Sequence, residues 1–207
     1  MIQLYTFATP NGHKVSIMLE ELGLPYEVTV VDIRKDDQFK PEFLAVNPNN
    51  KIPAIVDREG PGGQPLTVFE SGAILLYLAE KTGKLLPKSG AERYAAMQWL
   101  MFQMGGVGPM FGQLSHFVRF SKEKVPYAIT RYTDESKRLL KVMDGELGKR
   151  EFLAGDYSVA DVATFPWLDS MSKHFAELLQ GHSNLHRWLE AIRARPAVQR
   201  GLAVPKV

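Results

Sequence analysis

The sequence predicts a small α/β domain of order βαβαββα followed by a larger all-helical one. Three observations carry this expectation. Short β-branched and apolar runs bounded by turn residues are confined to the first 80 residues. Beyond Pro87 the apolar residues recur at helical spacing with no convincing strand, and residues 82–90 (TGKLLPKSG) between the two have linker composition. The expected domains are therefore 1–82 and 91–207, with 83–90 as the linker.

Ile2 to Phe7 alternates enough to read as a strand, ended by the turn-formers Thr9-Pro10-Asn11-Gly12. A helix follows from about His13 to Leu22, where Val15, Ile17, Met18, Leu19 and Leu22 include 3.6-period positions and Gly23 caps the end. Tyr26 to Ile33 (YEVTVVDI) is a second strand. After a polar stretch with a short helix near Pro41 to Leu44, Ile52 to Val56 and Leu66 to Phe69 read as a hairpin around Gly60-Pro61-Gly62-Gly63-Gln64-Pro65. Ser71 is placed to cap a helix running to about Lys81 and closing at Gly83. The later helices are Ala91 to about Phe120, broken near Gly105-Gly106 and Gly108-Pro109, then Pro126 to Gly148, Val159 to about Lys173, and Leu185 to Ala194. Glycines at 105–108 cost about 1 kcal/mol each inside a helix, so a bend or a close backbone approach is expected there.

The chain has 207 residues, 45% of them hydrophobic, and no cysteine. That length is enough for two small cores. Without cysteine there is no disulfide, thiolate metal site or protein-thiol redox chemistry, so any reacting thiol arrives with a substrate. A net charge of +2 argues against a nucleic-acid-binding domain. Residues 1–80 hold 6 Lys+Arg and 11 Asp+Glu (net −5) and residues 81–207 hold 19 and 12 (net +7). This division is compatible with an anionic small molecule at the junction of the two modules, and equally with chance surface composition. The longest apolar run, Gly72 to Ala79, is far short of the roughly 20 residues that span a bilayer. No signal peptide is read at the N-terminus, and the expected location is cytoplasmic.

Local sequences sharpen the picture. The segment Asn50-Lys51-Ile52-Pro53-Ala54-Ile55-Val56 resembles the cis-proline segment of the glutathione transferase superfamily. Phe69-Glu70-Ser71-Gly72-Ala73-Ile74 resembles its glutathione-gripping turn, and Tyr157-Ser158-Val159-Ala160-Asp161-Val162 its helix-capping motif. Four further motifs resemble the bacterial nu class within it: Thr9-Pro10-Asn11-Gly12-His13-Lys14, Pro48-Asn49-Asn50-Lys51-Ile52-Pro53, Gly105-Gly106-Val107-Gly108-Pro109-Met110 with Gly112-Gln113, and Pro126-Tyr127-Ala128-Ile129-Thr130-Arg131-Tyr132. The resemblance implies a thioredoxin-like N-terminal domain with a mixed four-stranded sheet, an all-α C-terminal domain, a homodimer, and disulfide-bond reductase chemistry with glutathione as co-substrate.

What it implies of residues has a physical counterpart in each case. A cis Ile52-Pro53 bond would leave the Ile52 backbone to pair with the cysteinyl unit of glutathione as an added strand; an ordinary trans proline opening an edge strand is the alternative. Glu70 suits the γ-glutamyl ammonium, while the Ser71 hydroxyl and N–H at a helix start suit its carboxylate; Ser71 as a plain N-cap and Glu70 as a surface acid are the bland counterparts. Thr9 and Asn11 are the expected catalytic donors to the glutathione thiolate, although both are also ordinary turn residues. Gln38 and Lys51 match positions that contact the glycyl end, and Arg131, one turn after Tyr127, offers a fork for a glycyl carboxylate. Ser158 with Asp161 has capping-box spacing and is assigned to folding.

No metal is expected, since His182 and His186 lack a placed third ligand. Neither GxxxxGK nor GxGxxG occurs, so nucleotide binding has no support. The Met97, Leu100, Met101 and Met104 stripe reads as core or dimer contact. The expected partners are glutathione or glutathione disulfide and a small disulfide or electrophile, with no nucleic acid and no membrane. Two alternatives stay open: conjugation of glutathione to electrophiles or reduction of organic hydroperoxides, and a non-catalytic module of the same fold that binds a partner.

Overall fold

The computed structural model describes residues 1–206 and resolves into two compact units, one made of residues 1–86 together with the stretch from Arg193, the other of Pro87–Ile192. The first unit opens with β1 (Ile2–Thr6), α1 (Pro10–Leu22) and β2 (Tyr26–Val30). It continues through α2 (Pro41–Leu44), β3 (Ala54–Asp57), β4 (Leu66–Phe69) and α3 (Ser71–Thr82). The sheet is mixed, in the order β2-β1-β3-β4: β2 runs parallel to β1, and β3 antiparallel to both β1 and β4. The βαβαββα order and the mixed four-stranded sheet are those expected.

Register decides what this sheet presents. Ala54 at the start of β3 lies opposite Tyr5 near the end of β1 and opposite Phe69 at the end of β4. Thr6 lies beside Val30 at the end of β2. The exits of β1, β2 and β4 and the entry of β3 therefore share one end of the sheet.

α1 and α3 pack with the sheet through Leu4, Ile17, Met18, Ile55, Ile74 and Leu78, all fully buried. At the far end of the sheet Asp57, also buried, accepts from Lys81 Nζ (2.7 Å), Tyr77 Oη (2.6 Å) and the Glu59 N–H (2.9 Å). Burial alone would raise its pKa; Lys81 and Tyr77 outweigh that and hold it below the usual carboxylate value. This cluster ties the C-terminal half of α3 to one end of the sheet, and its N-terminus opens at the other.

α1 starts at Pro10, three residues before the sequence suggests, because Thr9 acts as N-cap and proline suits the first helical position. Gly23 and Gly83 close α1 and α3 in left-handed conformation, as expected. The expected strand Ile52–Val56 begins only at Ala54. The stretch from Arg193 includes α9 (Pro196–Leu202), which the sequence does not announce and which packs on α1. There Ser16 Oγ donates to the Gly201 carbonyl at 2.7 Å, and Arg195 forks onto Glu21 at 2.6 and 2.9 Å. A Cβ at Gly201 would stand 2.6–2.7 Å from Ile17 backbone atoms, so the two helices need a glycine here.

The second unit is helical: α4 (Gly90–Phe102), α5 (Gly108–Ser115), α6 (Pro126–Leu147), α7 (Val159–His174) and α8 (Ser183–Arg193). The expected break near residue 105 is a π-helical turn over Gln103–Val107 that joins α4 to α5 without leaving the helix. Gly108, the first residue of α5, serves packing, since a Cβ there would stand 2.8 Å from Gln103 Nε2 and 3.3 Å from Trp167 Nε1 of α7. The capping box at Ser158 and Asp161 forms as read, and buried Asp161 also accepts the Trp188 indole N–H at 2.8 Å.

Candidate functional site

The shared end of the sheet collects most of the candidate residues. From the exit of β1 the chain turns through a Thr9 N–H to Phe7 carbonyl bond (2.8 Å) into α1, where the Thr9 carbonyl accepts the His13 N–H (2.9 Å). The Thr9 hydroxyl accepts the Gly12 N–H at 3.1 Å, so its own hydrogen remains to donate elsewhere. Asn11 is the second residue of the helix and half-buried. Gly12 is required by space, because a side chain there would run into the Phe7 carbonyl and the Thr6 hydroxyl.

The exit of β2 leads into two short 3-10 turns, Ile33–Lys35 and Asp37–Phe39, that carry Gln38. Asp32 fixes them: it accepts from the Arg34 backbone (3.0 Å) and guanidinium (2.9 Å twice), and its own N–H donates to Asp37 (3.0 Å). The Arg34 hydrogen bonds hold the Asp32 carboxyl well below its usual range. Gln38 Oε1 is buried with no hydrogen-bond partner among the described residues.

The entry to β3 is held by a residue that the sequence reasoning missed. Asn47, buried, donates from Nδ2 to the Lys51 carbonyl (2.6 Å) and accepts the Asn49 N–H (2.9 Å), shaping the loop that carries Lys51 and Ile52. Ile52 packs on a cluster of Val31, Phe43 and Ala54, and the Ile52-Pro53 peptide bond is cis. Lys51 is exposed.

The exit of β4 gives Glu70 and Ser71. The expected N-cap shifts by one: Glu70 occupies it, with its carbonyl accepting the Ile74 N–H (2.9 Å), and Ser71 is the first helical residue. Glu70 has φ of 69°, a left-handed value unusual for a residue with a Cβ. Ser71 Oγ accepts from Lys14 Nζ at 3.3 Å. Lys14 is the other residue missed, since a lysine beside Val15 reads as solvated; the clue was that it is the lone charge in the run Lys14–Leu19, all of which is buried.

Arg131 belongs to the second unit, on α6, and is exposed. The next carboxylate along its face, Glu135, is taken in a fork by Arg138 (2.7 and 2.8 Å), and the Arg131 charge also acts on it. Tyr127, one turn earlier, is 81% exposed. No group of three or more metal-ligating side chains occurs among the described residues. His182 instead faces Asp144 at 3.8 Å, and His186 the Leu179 carbonyl at 3.2 Å.

The first unit thus offers two helix N-termini and a cis-proline strand entry at one end of a four-stranded sheet, an arrangement suited to a small peptide with a carboxylate. Comparison with known proteins agrees. The family models for the glutathione S-transferase N-terminal and C-terminal domains match residues 8–81 and 110–196, and the chain belongs to the glutathione S-transferase family. It is 48% identical over 204 residues to the disulfide-bond oxidoreductase YfcG of Escherichia coli (strain K12), spanning 98% of this chain and 94% of that protein. It is 44% identical to the disulfide-bond oxidoreductase YghU of the same organism over 216 residues, 98% of this chain and 74% of that one. Among solved structures it resembles a Pseudomonas putida glutathione transferase with one glutathione disulfide bound per subunit (TM-score 0.95, 51% identity, 99% of this chain and 91% of that one). A Burkholderia graminis glutathione transferase with two glutathione molecules per subunit is similarly close (TM-score 0.95, 55% identity, 99% and 88%).

Proposed function

We propose that this chain is a glutathione-dependent enzyme that reduces disulfide bonds, with bound glutathione as the reacting thiol. The observation that carries the proposal is the sheet register that brings Thr9, Ile52-Pro53 and Glu70-Ser71 to one end of the fold. The oxidoreductases YfcG and YghU, and relatives holding glutathione or its disulfide, support it.

The chain has no cysteine, so both thiols of a disulfide reduction are substrates. A glutathione thiolate attacks one sulfur of the substrate disulfide, the S–S bond breaks, and the departing thiolate takes up a proton. A second glutathione thiolate attacks the mixed disulfide on the glutathione sulfur, releasing the second substrate thiol and glutathione disulfide. A free thiol near pKa 8.5 is only a few per cent ionised at neutral pH, and lowering that value by two units takes about 2.7 kcal/mol. Two hydrogen bonds to a thiolate, at roughly 1.5–3 kcal/mol each, reach that figure. In this proposal Thr9 and Asn11 are the donors and the chain polarises sulfur without becoming covalently involved.

The rest of the peptide is assigned in the same way: its cysteinyl backbone to Ile52 beside Pro53, its γ-glutamyl ammonium to Glu70 and carboxylate to Ser71, its glycyl end to Gln38 and Lys51. Arg131 takes a glycyl carboxylate of a second glutathione. We assign residues 1–82 to the glutathione-binding domain, 83–90 to the linker and 91–207 to the helical domain, except that the stretch from Arg193, with α9, packs into the first unit. We assign the enzyme to the nu class on the four motifs that match it, and to the cytoplasm and a homodimer. No helix among the described residues is long and apolar enough to cross a membrane, and Met101 of the α4 stripe is 49% exposed, leaving it available to a partner subunit.

Calorimetric titration with glutathione and separately with glutathione disulfide tests the proposal. Binding of both, with the disulfide tighter, is expected. Binding of glutathione alone would favour conjugation, and binding of neither would overturn the glutathione assignment.

A further inference from the structure

β2 is an edge strand, bonded to β1 on one side only. The Ile2 N–H donates to the Pro25 carbonyl at 3.4 Å and the Val31 N–H to the Thr6 carbonyl at 2.9 Å. Along a parallel ladder successive residues alternate between the two edges. Glu27 and Thr29 therefore face β1, whereas Tyr26, Val28 and Val30 turn their N–H and C=O groups outward. Among the described residues nothing takes up those outward groups. Exposed edges are commonly guarded by a proline, a lysine or a bulge, and β2 (YEVTV) runs in continuous register without any of these. Its one charge, Glu27, is met by Arg58 at 3.0 Å. What remains is apolar: Val28 and Val30 are 38% and 43% exposed, and beyond them Ile33 and Phe39, in the turns that carry Gln38, are exposed too.

A row of outward donors and acceptors at strand spacing is complemented by another extended backbone. The edge also leads to the candidate site, since Val30 lies beside Thr6 at the exit of β1, just before Thr9. An added strand would lie about 4.8 Å beyond β2 and roughly 10 Å from β1, a gap that about three further extended residues cross. A second copy of the chain, which has no cysteine, would bring no disulfide to that end. We propose that β2 is a docking edge for extended polypeptides, and that the substrates include a peptide cysteine in mixed disulfide with glutathione, held by strand addition to β2. The inference rests on the glutathione assignment above and names a substrate class for it. The bound glutathione thiolate attacks the glutathione sulfur of the mixed disulfide. That S–S bond breaks, the new one makes glutathione disulfide, and the peptide thiolate leaves and takes a proton from solvent.

The probe is a synthetic peptide with a short β-forming segment, a three-residue spacer and a cysteine carrying glutathione. It is compared with the mixed disulfide of glutathione and cysteamine, and with two forms of itself N-methylated on one or the other set of alternate backbone nitrogens. The peptide is expected to show a KM about tenfold below that of the cysteamine disulfide, and one N-methylated form is expected to lose the advantage. Val28→Pro removes an outward N–H and leaves the ladder to β1 intact, and Val30→Lys guards the edge. Both should abolish the advantage while holding kcat/KM for the cysteamine disulfide within about twofold, since neither side chain belongs to the site. Equal KM for peptide and cysteamine disulfide, or an advantage that survives both N-methylations and both substitutions, overturns the inference. So does a solution mass that falls on Val28→Pro or Val30→Lys, which would give the edge to a second copy. Should Val28→Pro not fold, Val30→Lys is read by the same comparison. If the two disulfides are reduced alike, this inference fails and the glutathione assignment stands; if neither is reduced and glutathione does not bind, the assignment itself fails.

Discussion

Thr9 Oγ1 accepts the Gly12 N–H at 3.1 Å, so the hydroxyl that caps α1 is the same one proposed to donate to sulfur. Folding and chemistry therefore share an atom, and substitutions should separate its two uses. Thr9→Val removes both and is expected to cost about 1 kcal/mol of stability and about ten- to a hundredfold in disulfide-reductase kcat/KM. Thr9→Ser keeps both. The combination Thr9→Ala with Asn11→Ala, assayed the same way, should lose more than either alone; an unchanged kcat/KM would remove these residues from the mechanism.

Glu70 carries a Cβ at φ of 69°. That conformation costs roughly 1–2 kcal/mol in a non-glycine residue. Glu70→Gly is therefore expected to raise stability by about 1 kcal/mol in thermal or urea melts while raising KM for glutathione more than tenfold. Glu70→Gln keeps the strain and loses only the charge. A Glu70→Gly protein that is more stable and equally active would show that the strained glutamate has no part in binding.

The pH dependence of stability should carry the signature of Lys14. Its ammonium titrates near 10.5 in the unfolded chain and at about 7 in the folded one. Between these values the unfolded chain holds a proton that the folded chain has released, so stability rises with pH across that window and the full cost of the buried charge is felt below it. Lys14→Met should remove this slope. Urea melts from pH 7 to 9 check it, and parallel profiles for the two proteins would contradict it.

Asp161 provides the contrasting case in the second unit. It accepts hydrogen bonds from the Trp188 indole (2.8 Å), the Leu153 and Ser158 N–H groups (3.1 Å each) and the Ser158 hydroxyl (3.3 Å). Burial nonetheless dominates and raises its pKa to about 6 from 3.8. In this window the folded state holds the extra proton, so stability declines as pH rises from about 4 to 6. Asp161→Ala strands several buried donors at roughly 1–3 kcal/mol each and is expected to lose on the order of 3 kcal/mol or more. Asp161→Asn keeps one acceptor oxygen, loses less and abolishes the slope. Circular-dichroism melts of the three proteins at pH 4, 5 and 6 measure both effects.

Local signals made most elements legible. Apolar alternation marked β1, β-branched residues marked β2 (which ends at Val30, before the expected Ile33), a short apolar run marked β4, and glycine marked the ends of α1 and α3, because those features depend on neighbours in sequence. Thr9-Pro10 was ambiguous for a physical reason: a capping threonine and a proline at the first helical position are also turn residues. The π-helical turn at residues 103–107 was read as a break because its glycines are unfavourable in an isolated helix, whereas the chain stays helical through Gly105 and Gly106. α9 offers little periodicity of its own and is buried by α1. Of the candidate site, the residues in recognisable motifs were legible. Lys14 and Asn47 were not, since their partners, Ser71 and the Lys51 carbonyl, are chosen by the fold.

The dependence of α1 on α9 bears on the order in which the protein is made. Synthesis delivers β1 through α3 first, but the helix holding Thr9, Asn11 and Lys14 lacks its cover over Ser16 and Ile17 until residues 196–202 emerge. The glutathione-binding unit is begun first and completed last, and throughout the intervening translation an apolar flank of its key helix stays open to water or to a chaperone.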